Sequence, residues 1–292
     1  MNKNKKIVVM GGSGFLGSHV ADKLSDNKYE VIIYDLNQSP YLRPDQKMVI
    51  GDILDTKKLN DVIKGATAVY HFAAFADLDE ALDKPIKTVE TNILGTLKVL
   101  EACKLNQIDT FVYASTVYVH SKEGGFYRCS KMAAEQYIEE YYNRYGLNYC
   151  ILRYGSLYGP RSDANNGLWQ IVNNAINTDV LRYMGHKDSL REYIHVDDAA
   201  RASLLALGDD FKNQHIVLTG QEPMRVLDLL KMIGELLQMD LKIEFDDSDY
   251  AGHYIRTPYS YSDKVGRKYI PSMHVDLGQG LLQMIKNIKS SK

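Results

Sequence analysis

The chain has 292 residues, of which 45% are hydrophobic and 25% charged, and its formal net charge is −2. This composition is typical of a globular protein with one large domain or two closely associated ones. The net charge is slightly negative and the sequence has no basic block, so we expect no nucleic acid partner. We also expect no membrane partner, because no run approaches about 18 apolar residues.

The cysteines and the start of the sequence favour a cytoplasmic location. Cys103, Cys129 and Cys150 are odd in number and have no metal-ligand spacing, which favours reduced, packed thiols. No apolar signal segment precedes the first predicted strand. We therefore expect a cytoplasmic protein without a metal site.

The N-terminal segment predicts a strand, a glycine-rich turn and a helix in succession. The apolar residues 7–10 predict a buried strand, and a helical pattern covers residues 15–24. The glycines of this segment fit G-x-G-x-x-G, a tight turn that brings backbone and helix N-terminus close to a pyrophosphate. These glycines are Gly11, Gly12, Gly14 and Gly17. The pattern predicts a dinucleotide site, although a glycine-rich turn without a ligand would share it.

A second predicted strand, residues 30–34, ends at an acidic residue. Asp35 follows Gly17 by 18 positions, which fits a carboxylate that hydrogen-bonds the ribose hydroxyls of adenosine. The same carboxylate would repel a 2′-phosphate. The sequence therefore favours NAD over NADP as the cofactor.

Strand and helix patterns alternate through the first half of the chain, which predicts an α/β fold with a doubly wound parallel sheet. The remaining strands predicted in this half are residues 47–50, 68–74 with the strand exit, 110–116 and 148–153. The remaining helices predicted there are residues 56–64, 89–105 and 126–145.

The second half is less regular, and a loop is predicted over residues 155–166. The elements predicted after it are helices at residues 199–207, 225–237 and 277–288 and strands at residues 215–218 and 241–245. We expect residues 1–154 to form a dinucleotide-binding domain, to which segments around 191–219 return. Residues 155–292 are expected to form mainly a smaller C-terminal α/β substrate-binding domain.

Tyr127 and Lys131 carry the main catalytic pattern. They lie one turn apart in a predicted helix and so share one face. A lysine ammonium beside a phenol favours the phenolate, which helps a group with a pKa of about 10 to act as a base near neutral pH. Ser115 and Thr116 end the preceding strand, and ligands of doubly wound sheets bind beyond the carboxyl ends of strands. An exposed i,i+4 pair has the same spacing, so the context is what favours a site.

With these residues the sequence resembles the extended short-chain dehydrogenase/reductases, and among them the NAD-dependent nucleotide-sugar epimerases and dehydratases that are similar to UDP-glucose 4-epimerase. Motifs in the family's order carry the resemblance over nearly the whole chain. Besides Tyr127 and Lys131 they are Gly11-Gly-Ser-Gly-Phe-Leu-Gly-Ser-His19, Gly51-Asp-Ile53, His71-Phe-Ala-Ala74, Thr91-Asn-Ile-Leu-Gly-Thr96, Leu152-Arg-Tyr-Gly-Ser-Leu-Tyr-Gly-Pro160 and Arg191-Glu-Tyr-Ile-His-Val-Asp-Asp198. The resemblance implies a Rossmann fold, NAD as cofactor and a nucleotide-diphosphate sugar as substrate.

The resemblance also implies roles for individual positions. Tyr127 is expected to be the base, Lys131 its electrostatic partner, and Thr116 rather than Ser115 the catalytic hydroxyl. The expected cofactor-binding residues are Gly11, Gly14, Phe15, Leu16, Gly17, Asp35, Asp52, Ile53, Phe72, Ala73, Ala74, Asn92, Ser115, Tyr127, Lys131 and Tyr154. The expected substrate-binding residues are Thr116, Ser156, Arg191 and Arg256. The alternatives are a helix-side polar residue for Asn92 and a solvated tail residue for Arg256.

The residues after the fifth predicted strand favour one reaction of this family. Its dehydratases have two acids, and its decarboxylases a glutamate, where this chain has Val117 and Tyr118. Their absence disfavours both reactions and leaves 4-epimerisation through a transient 4-keto sugar. The alternative is a 4-keto-sugar reductase. A non-catalytic dinucleotide sensor is less favoured, because Thr116, Tyr127 and Lys131 are all present.

Two departures from the family leave the sugar open. Tyr127 follows Thr116 by 11 positions, fewer than is usual in the family, so the loop near the sugar is short. Ser156 stands where an asparagine is common.

Family analogy also predicts a homodimer. It would pack through the predicted helices at residues 89–105 and 126–145. Ile93, Leu97 and Leu100 suit either dimer packing or packing within the chain.

Overall fold

The computed structural model of the protein describes residues 5–246. Seven of the strands in this part of the chain form one central sheet. In chain order the strands are β1 (Lys6–Met10), β2 (Glu30–Asp35), β3 (Gln46–Ile50), β4 (Ala68–His71), β5 (Thr110–Thr116), β6 (Tyr149–Tyr154), β7 (Ser156–Tyr158), β8 (Val180–Met184), β9 (Leu190–Arg191), β10 (Tyr193–His195), β11 (Gln214–Leu218), β12 (Met224–Arg225) and β13 (Lys242–Asp246).

Helices connect these strands. In chain order the α-helices are α1 (Phe15–Asp26), α2 (Thr56–Ile63), α3 (Leu78–Asp83), α4 (Pro85–Thr88), α5 (Thr96–Leu105), α6 (Gly125–Tyr145), α7 (Gly167–Thr178), α8 (Val196–Leu205) and α9 (Val226–Leu237). Three other helical segments are a π-helix at Val89–Gly95 and 3-10 helices at Val117–His120 and Asp209–Phe211.

The central sheet has the strand order β11-β6-β5-β4-β1-β2-β3, and all of its pairings are parallel. From β1 the chain first adds β2 and β3 on one side and then returns to add β4, β5 and β6 on the other. The direction of winding therefore changes between β1 and β4, where ligands of doubly wound sheets bind beyond the carboxyl ends of the strands. The predicted doubly wound parallel sheet is confirmed.

The sheet is buried on both faces because alternate side chains of each strand point to opposite sides. Val8, Val69 and Phe111 belong to a core shared with α2, α5 and α6. Ile7 and Val31 point to the opposite face of the sheet and belong to a core shared with α1 and α8. Helices on both faces fix the positions of the strand ends around the crevice.

A third core lies among the later elements. Ile171 and Ala175 of α7 pack with Leu181 of β8 and with Leu229 and Leu230 of α9. Three two-stranded sheets accompany this core, pairing β10 with β7, β12 with β9 and β13 with β8. The strand β11 returns to the central sheet beside β6.

The observed elements differ from the sequence predictions mainly after β6. The predicted loop at residues 155–166 contains β7, because Ser156 and its neighbours pair with β10. Helix α7 is not predicted by the sequence analysis, although Asn166 is its N-cap and accepts a hydrogen bond from the Trp169 backbone N–H at 3.0 Å. The predicted helix at residues 277–288 lies outside the described residues.

Candidate active site

The glycine-rich turn after β1 is a close-packed corner. Gly11 has a φ of +77°, and a Cβ there would lie 2.5 Å from the backbone nitrogen of Ala73. A Cβ on Gly17 would lie 2.2 Å from the carbonyl oxygen of Gly11. The turn packs closely against the exit of β4 at Gly11 and against helix α1 at Gly17, so both positions require glycine.

The N-terminus of α1 faces open space beyond this corner. Gly14 is the N-cap residue and makes no side-chain capping hydrogen bond. A Cβ at Gly14 would meet only the Gly11 carbonyl oxygen, at 3.4 Å, so the fold itself has room for a side chain there. Phe15 and Leu16 line the adjoining cleft, and the first N–H groups of a helix have no acceptor within it. A glycine at this position therefore fits the close approach of a pyrophosphate.

Two carboxylates lie at the β2–β3 side of the same cleft. Asp35 accepts hydrogen bonds from the backbone N–H groups of Ser13 at 3.0 Å and Asn37 at 3.1 Å. Asp52 accepts one from the Leu54 N–H at 2.8 Å. Ile53 is buried beside them and also lines the cleft. These bonds fix both carboxylates in place before any ligand binds.

The exit of β4 forms the opposite wall, and Phe72, Ala73 and Ala74 line it. Asn92 lies behind this wall and is 1% exposed. Its amide accepts a hydrogen bond from the Phe75 N–H at 2.7 Å and donates to the Phe75 carbonyl and to Ser130 Oγ, both at 2.9 Å. Asn92 is not among the cleft-lining residues, so the structure favours a role in supporting the β4 exit over the expected contact with cofactor.

The π-helix around Asn92 lies in a segment that the sequence predicts as ordinary α-helix. Its wider turn carries Asn92 at the point where the side chain reaches the backbone of Phe75. Gly95, in the same segment, allows close packing, because a Cβ there would lie 2.5 Å from Ile53 Cδ1. The irregular helix therefore helps to shape the cleft from behind.

The end of β5 offers two hydroxyls with different partners. Ser115 Oγ donates to Glu135 Oε1 at 2.5 Å. Thr116 Oγ1 instead accepts from the Tyr118 N–H at 3.2 Å, which leaves its own O–H to donate elsewhere. Both residues line the cleft. The hydrogen bonding therefore favours Thr116 over Ser115 as a hydroxyl that can act on a substrate.

Tyr127 and Lys131 lie on one face of α6 and line the cleft beside Thr116. Lys131 Nζ lies 5.7 Å from the centre of the Tyr127 ring and 4.7 Å from that of the Tyr113 ring. It donates to the Ala114 carbonyl oxygen at 2.8 Å. The structure thus brings together the tyrosine, the lysine and the threonine that the sequence singled out.

The electrostatics of this pair differ from the sequence-based expectation. Burial lowers the pKa of Lys131 to about 7, and the Glu135 carboxylate opposes that change. Tyr127 is partly exposed on the cleft wall, yet burial raises the pKa of its phenol. The expected lowering of the Tyr127 pKa by Lys131 is therefore not found, because desolvation outweighs the attraction between lysine and phenolate.

The cleft as a whole has a volume of about 570 Å³. Sequence analysis missed Lys87 of α4 and Thr91 of the π-helix, which both line it. The sequence contained a signal for both residues. Thr91 directly precedes Asn92, and Lys87 lies four positions before Thr91, on the same face of a helix. Tyr154 lines the cleft as well, but its hydroxyl hydrogen-bonds Ser203 Oγ at 2.7 Å on the α8 side.

A second pocket of about 380 Å³ lies next to the cleft, and Leu157 lines both. Ser156 and Arg191, two of the predicted substrate-binding residues, line this pocket, whereas Thr116 lines the cleft. Arg191 is 7% exposed. Arg256, the fourth predicted residue, lies outside the described residues.

Sequence analysis missed most of the second pocket. Its other lining residues are Tyr118, Asn165, Asn166, Gly167, Leu168, Gln170, Ile171, Asn174, Arg182, Tyr183, Met184 and Tyr193. Two arginines and several amides line it, and the described lining residues include no carboxylate. The pocket therefore suits an anionic ligand that also offers groups for hydrogen bonding.

Comparison with a known family model identifies the family of this chain. Residues 7–219 match the family model of the NAD dependent epimerase/dehydratase family. The chain belongs to this family. Its cofactor is NAD, which agrees with the open glycine turn and with the carboxylate of Asp35.

Relatives and solved structures agree with this assignment. The chain is 33% identical over 239 residues to a Methanocaldococcus jannaschii protein named "Putative UDP-glucose 4-epimerase", covering 74% of this chain and 77% of that one. A crystal structure of UDP-glucose 4-epimerase with UDP-glucose from Thermotoga maritima is 26% identical with a TM-score of 0.79, covering 88% of this chain and 90% of that one. UDP-N-acetylglucosamine 4-epimerase from Methanobrevibacter ruminantium, in complex with UDP-N-acetylmuramic acid, is 26% identical with a TM-score of 0.80, covering 89% and 91%.

Residues 5–246 contain neither a helix that could span a membrane nor a cluster of side chains that could bind a metal ion. No helix in that range is both long and apolar enough to cross a membrane. The same range holds no cluster of three or more histidine, cysteine or acidic side chains that could bind a metal ion.

Proposed function

We propose that the protein is a 4-epimerase of a nucleotide-diphosphate sugar. The observation that carries this proposal is the distribution of carboxylates along the cleft. Among the described residues that line it, the carboxylates are Asp35 and Asp52, both on the β2–β3 side. Among the lining residues that the structure describes, no carboxylate lies beside Thr116 and Tyr127, which fits a reaction that needs a hydroxyl acid–base group but no acidic pair.

Tyr127, Thr116 and Lys131 have separate roles in this reaction. When bound, NAD would supply the reversible hydride acceptor that 4-epimerisation through a transient 4-keto sugar requires. Tyr127 acts as a base from its ionised form: the phenolate Oη takes the proton of the 4-hydroxyl, and the phenol so formed later gives the proton back as an acid. Thr116 Oγ1 donates a hydrogen bond to the same sugar oxygen, and Lys131 supplies positive charge beside the tyrosine ring.

Cofactor-binding roles follow from the fit of the cleft. The α1 N–H groups at Phe15 and Leu16 would hold the pyrophosphate, and Asp35 the adenosine ribose. Asp52 and Ile53 would frame the adenine, and the wall at residues 72–74 would lie along the cofactor. These roles extend the family's use of NAD to individual positions of this chain.

We further propose that the second pocket holds the nucleotide diphosphate. The buried Arg191 would bind phosphate oxygens with its planar guanidinium. Tyr118 and Ser156 would contact the sugar where the two pockets meet. The division into a cofactor domain at residues 1–154 and a mainly substrate-binding domain at residues 155–292 is proposed on the same basis.

A nucleotide-sugar panel tests the reaction. The purified protein is incubated with UDP-glucose, UDP-N-acetylglucosamine and UDP-glucuronic acid, and products are identified by NMR and mass spectrometry. We expect equilibration of one 4-epimer pair without added cofactor, and NAD in the supernatant after the protein is denatured. Turnover that consumes NADPH stoichiometrically would instead identify the reductase. NAD binding without turnover of any nucleotide sugar would identify a sensor.

We also propose a homodimer and a cytoplasmic location. Large apolar side chains are exposed on α4, α5 and α6, where family analogy places the partner; they include Ile86, Leu105, Phe126 and Tyr145. Cys103 and Cys150 are buried, whereas Cys129 is exposed and not packed as the sequence predicts. The three free thiols suit a reducing compartment. A monomeric mass in light scattering at micromolar concentration would contradict the dimer.

A further inference from the structure

Helix α6 carries a third polar residue on the face that presents Tyr127 and Lys131. Glu135 lies one turn beyond Lys131, at i+4, and is 4% exposed. It does not line the cleft but lies behind it. We propose that Glu135 is a positioning residue that keeps Lys131 a cation and holds the end of β5 against α6. This inference rests on the proposed function, because it concerns the charge that Lys131 supplies there.

The contacts of Glu135 tie three elements together. Its carboxylate accepts from Ser115 Oγ at 2.5 Å, from Arg153 Nε at 3.1 Å and from Arg153 Nη2 at 2.6 Å. Ser115 and Arg153 are directly opposite each other in the β5–β6 pairing. One carboxylate therefore clamps two neighbouring strand ends to the catalytic helix. Thr116 follows Ser115, so the clamp also fixes the strand end that carries the free hydroxyl.

Lys131 has few charged neighbours besides Glu135. Burial lowers the pKa of His71 to about 3, so that imidazole is neutral. Burial raises the pKa of the Tyr113 and Tyr127 phenols, which are neutral as well. Within the described part of the chain, Glu135 is the carboxylate that raises the pKa of Lys131 against the effect of burial. Without that negative charge, the buried amine would give up its proton more easily.

Arg153 binds the same Glu135 carboxylate, and its positive charge reduces the effect of Glu135 on the pKa of Lys131. Its Nη1 lies 2.9 Å from His120 Nε2 and its Nη2 lies 2.8 Å from His215 Nδ1. Arginine can only donate, so the ring nitrogen that faces it in each histidine accepts. The Glu135 carboxylate is thus paired with Arg153 and also acts on the charge of Lys131. His215 Nε2 in turn donates to Glu139 Oε1 at 2.7 Å, one turn further along α6.

This arrangement offers a matched pair of variants. Glu135→Gln keeps the size and the hydrogen-bond acceptor but removes the charge next to Lys131. Glu139→Gln makes the same change one turn away, on a side chain that is 36% exposed and bonded to His215. Glu135→Asp keeps the charge with a shorter side chain. If Glu135→Gln does not fold because Arg153 is left unpaired, the double variant Glu135→Gln/Arg153→Met removes both buried charges.

The experiment measures the protonation of Lys131 directly, by NMR of protein labelled with ¹³C,¹⁵N-lysine, with the resonance assigned through Lys131→Met. We expect the pKa of Lys131 to fall by about one unit or more in Glu135→Gln, by less in the double variant, and to stay within about half a unit of the native value in Glu135→Asp and Glu139→Gln. With an active substrate, the alkaline limb of the kcat profile should move to lower pH in Glu135→Gln, by less in the double variant, and not in Glu135→Asp or Glu139→Gln.

An unchanged Lys131 pKa in Glu135→Gln, or in the double variant if the single one does not fold, would overturn the proposal. So would equal shifts in Glu135→Gln and Glu139→Gln. The NMR titration does not depend on turnover. A protein that fails to epimerise any nucleotide sugar but shows the Lys131 shift would therefore refute the proposed function and leave the role of Glu135 standing.

Discussion

The cofactor cleft and the second pocket share Leu157 but are built in different ways. The cleft depends on backbone: a glycine turn, a helix N-terminus and the exits of parallel strands. The second pocket depends on side chains from β7, α7, β8 and β9, which include arginines and amides. The difference suggests that changes in the cleft affect cofactor and chemistry, whereas changes in the second pocket affect the affinity for substrate.

The largest expected effect is on the chemistry at the cleft. Tyr127→Phe removes the hydroxyl and keeps the ring, so kcat should fall by about 10² to 10⁴, the range of general acid–base groups. NAD content should stay near that of the native protein. Tyr137→Phe, on an exposed part of the same helix, is the control and should keep native kcat. Near-native turnover by Tyr127→Phe would show that another group acts as the base.

Two glycine variants distinguish folding from ligand binding within the cleft. Gly17→Ala would place a Cβ 2.2 Å from a backbone oxygen, so we expect a loss of about 3 kcal/mol in unfolding free energy. Gly14→Ala has room in the fold and should leave the melting temperature nearly unchanged. Its NAD affinity should nevertheless fall about 10-fold or more, because the methyl group blocks the phosphate approach. Denaturant unfolding and NAD titration measure the two effects; native NAD affinity in Gly14→Ala would place the pyrophosphate elsewhere.

The low pKa of Lys131 predicts a pH-dependent gain in stability when the charge is removed. The pKa is about 7 in the fold, against 10.5 for an ordinary lysine, so the folded protein binds this proton less readily than the unfolded chain. The lowered pKa therefore decreases the free energy of unfolding. This decrease is fully present below pH 7 and disappears as the pH approaches 10.5. Lys131→Met removes the buried charge but also the hydrogen bond to the Ala114 carbonyl, which offsets part of the gain. We therefore expect a net stabilisation of about 2 to 3 kcal/mol at pH 6.

The same variant should gain almost nothing at about pH 10. Denaturant unfolding at the two pH values provides the measurement. A gain of equal size at both pH values would mean that packing, and not charge, causes the stabilisation.

In the second pocket the expected effect is on substrate affinity. Arg191→Met should raise KM for the nucleotide sugar by about 10- to 100-fold, the value of a charge-assisted hydrogen bond. Arg182→Met should have a smaller effect, because the Arg182 side chain is 58% exposed whereas Arg191 is buried. NAD affinity should not change in either variant. A loss of NAD from Arg191→Met would contradict the separation of the two pockets.

The smallest expected effect concerns the choice of cofactor. Asp35→Ala removes the carboxylate that disfavours a 2′-phosphate, so the preference for NAD over NADP should fall about 10-fold. Asp45→Ala, at an exposed aspartate bonded to Arg43, is the control. Titrations with both cofactors measure the ratio, and tighter NADP binding by the native protein would refute the role of Asp35.

Local patterns predicted the first half of the fold closely. The predicted strand at residues 110–116 agrees with β5, and the predicted helix at residues 126–145 begins one residue after α6 does. The second half was predicted less well. Apolar residues of α7 recur at helical spacing, at Leu168, Ile171 and Ala175, but no helix was predicted there. Strand β7 has three residues and is defined by its pairing with β10, which no local pattern reveals.

The sequence by itself determined the glycine corner, the acidic end of β2 and the spacing of Tyr127 and Lys131, because each depends on residues close together in the chain. Only the tertiary structure decided that Ser115 donates to Glu135 while Thr116 keeps a free O–H. It also decided that burial, and not the lysine charge, dominates the pKa of Tyr127. Desolvation and hydrogen-bond partners depend on which distant segments pack around a group, and neighbouring residues in the sequence do not specify that packing.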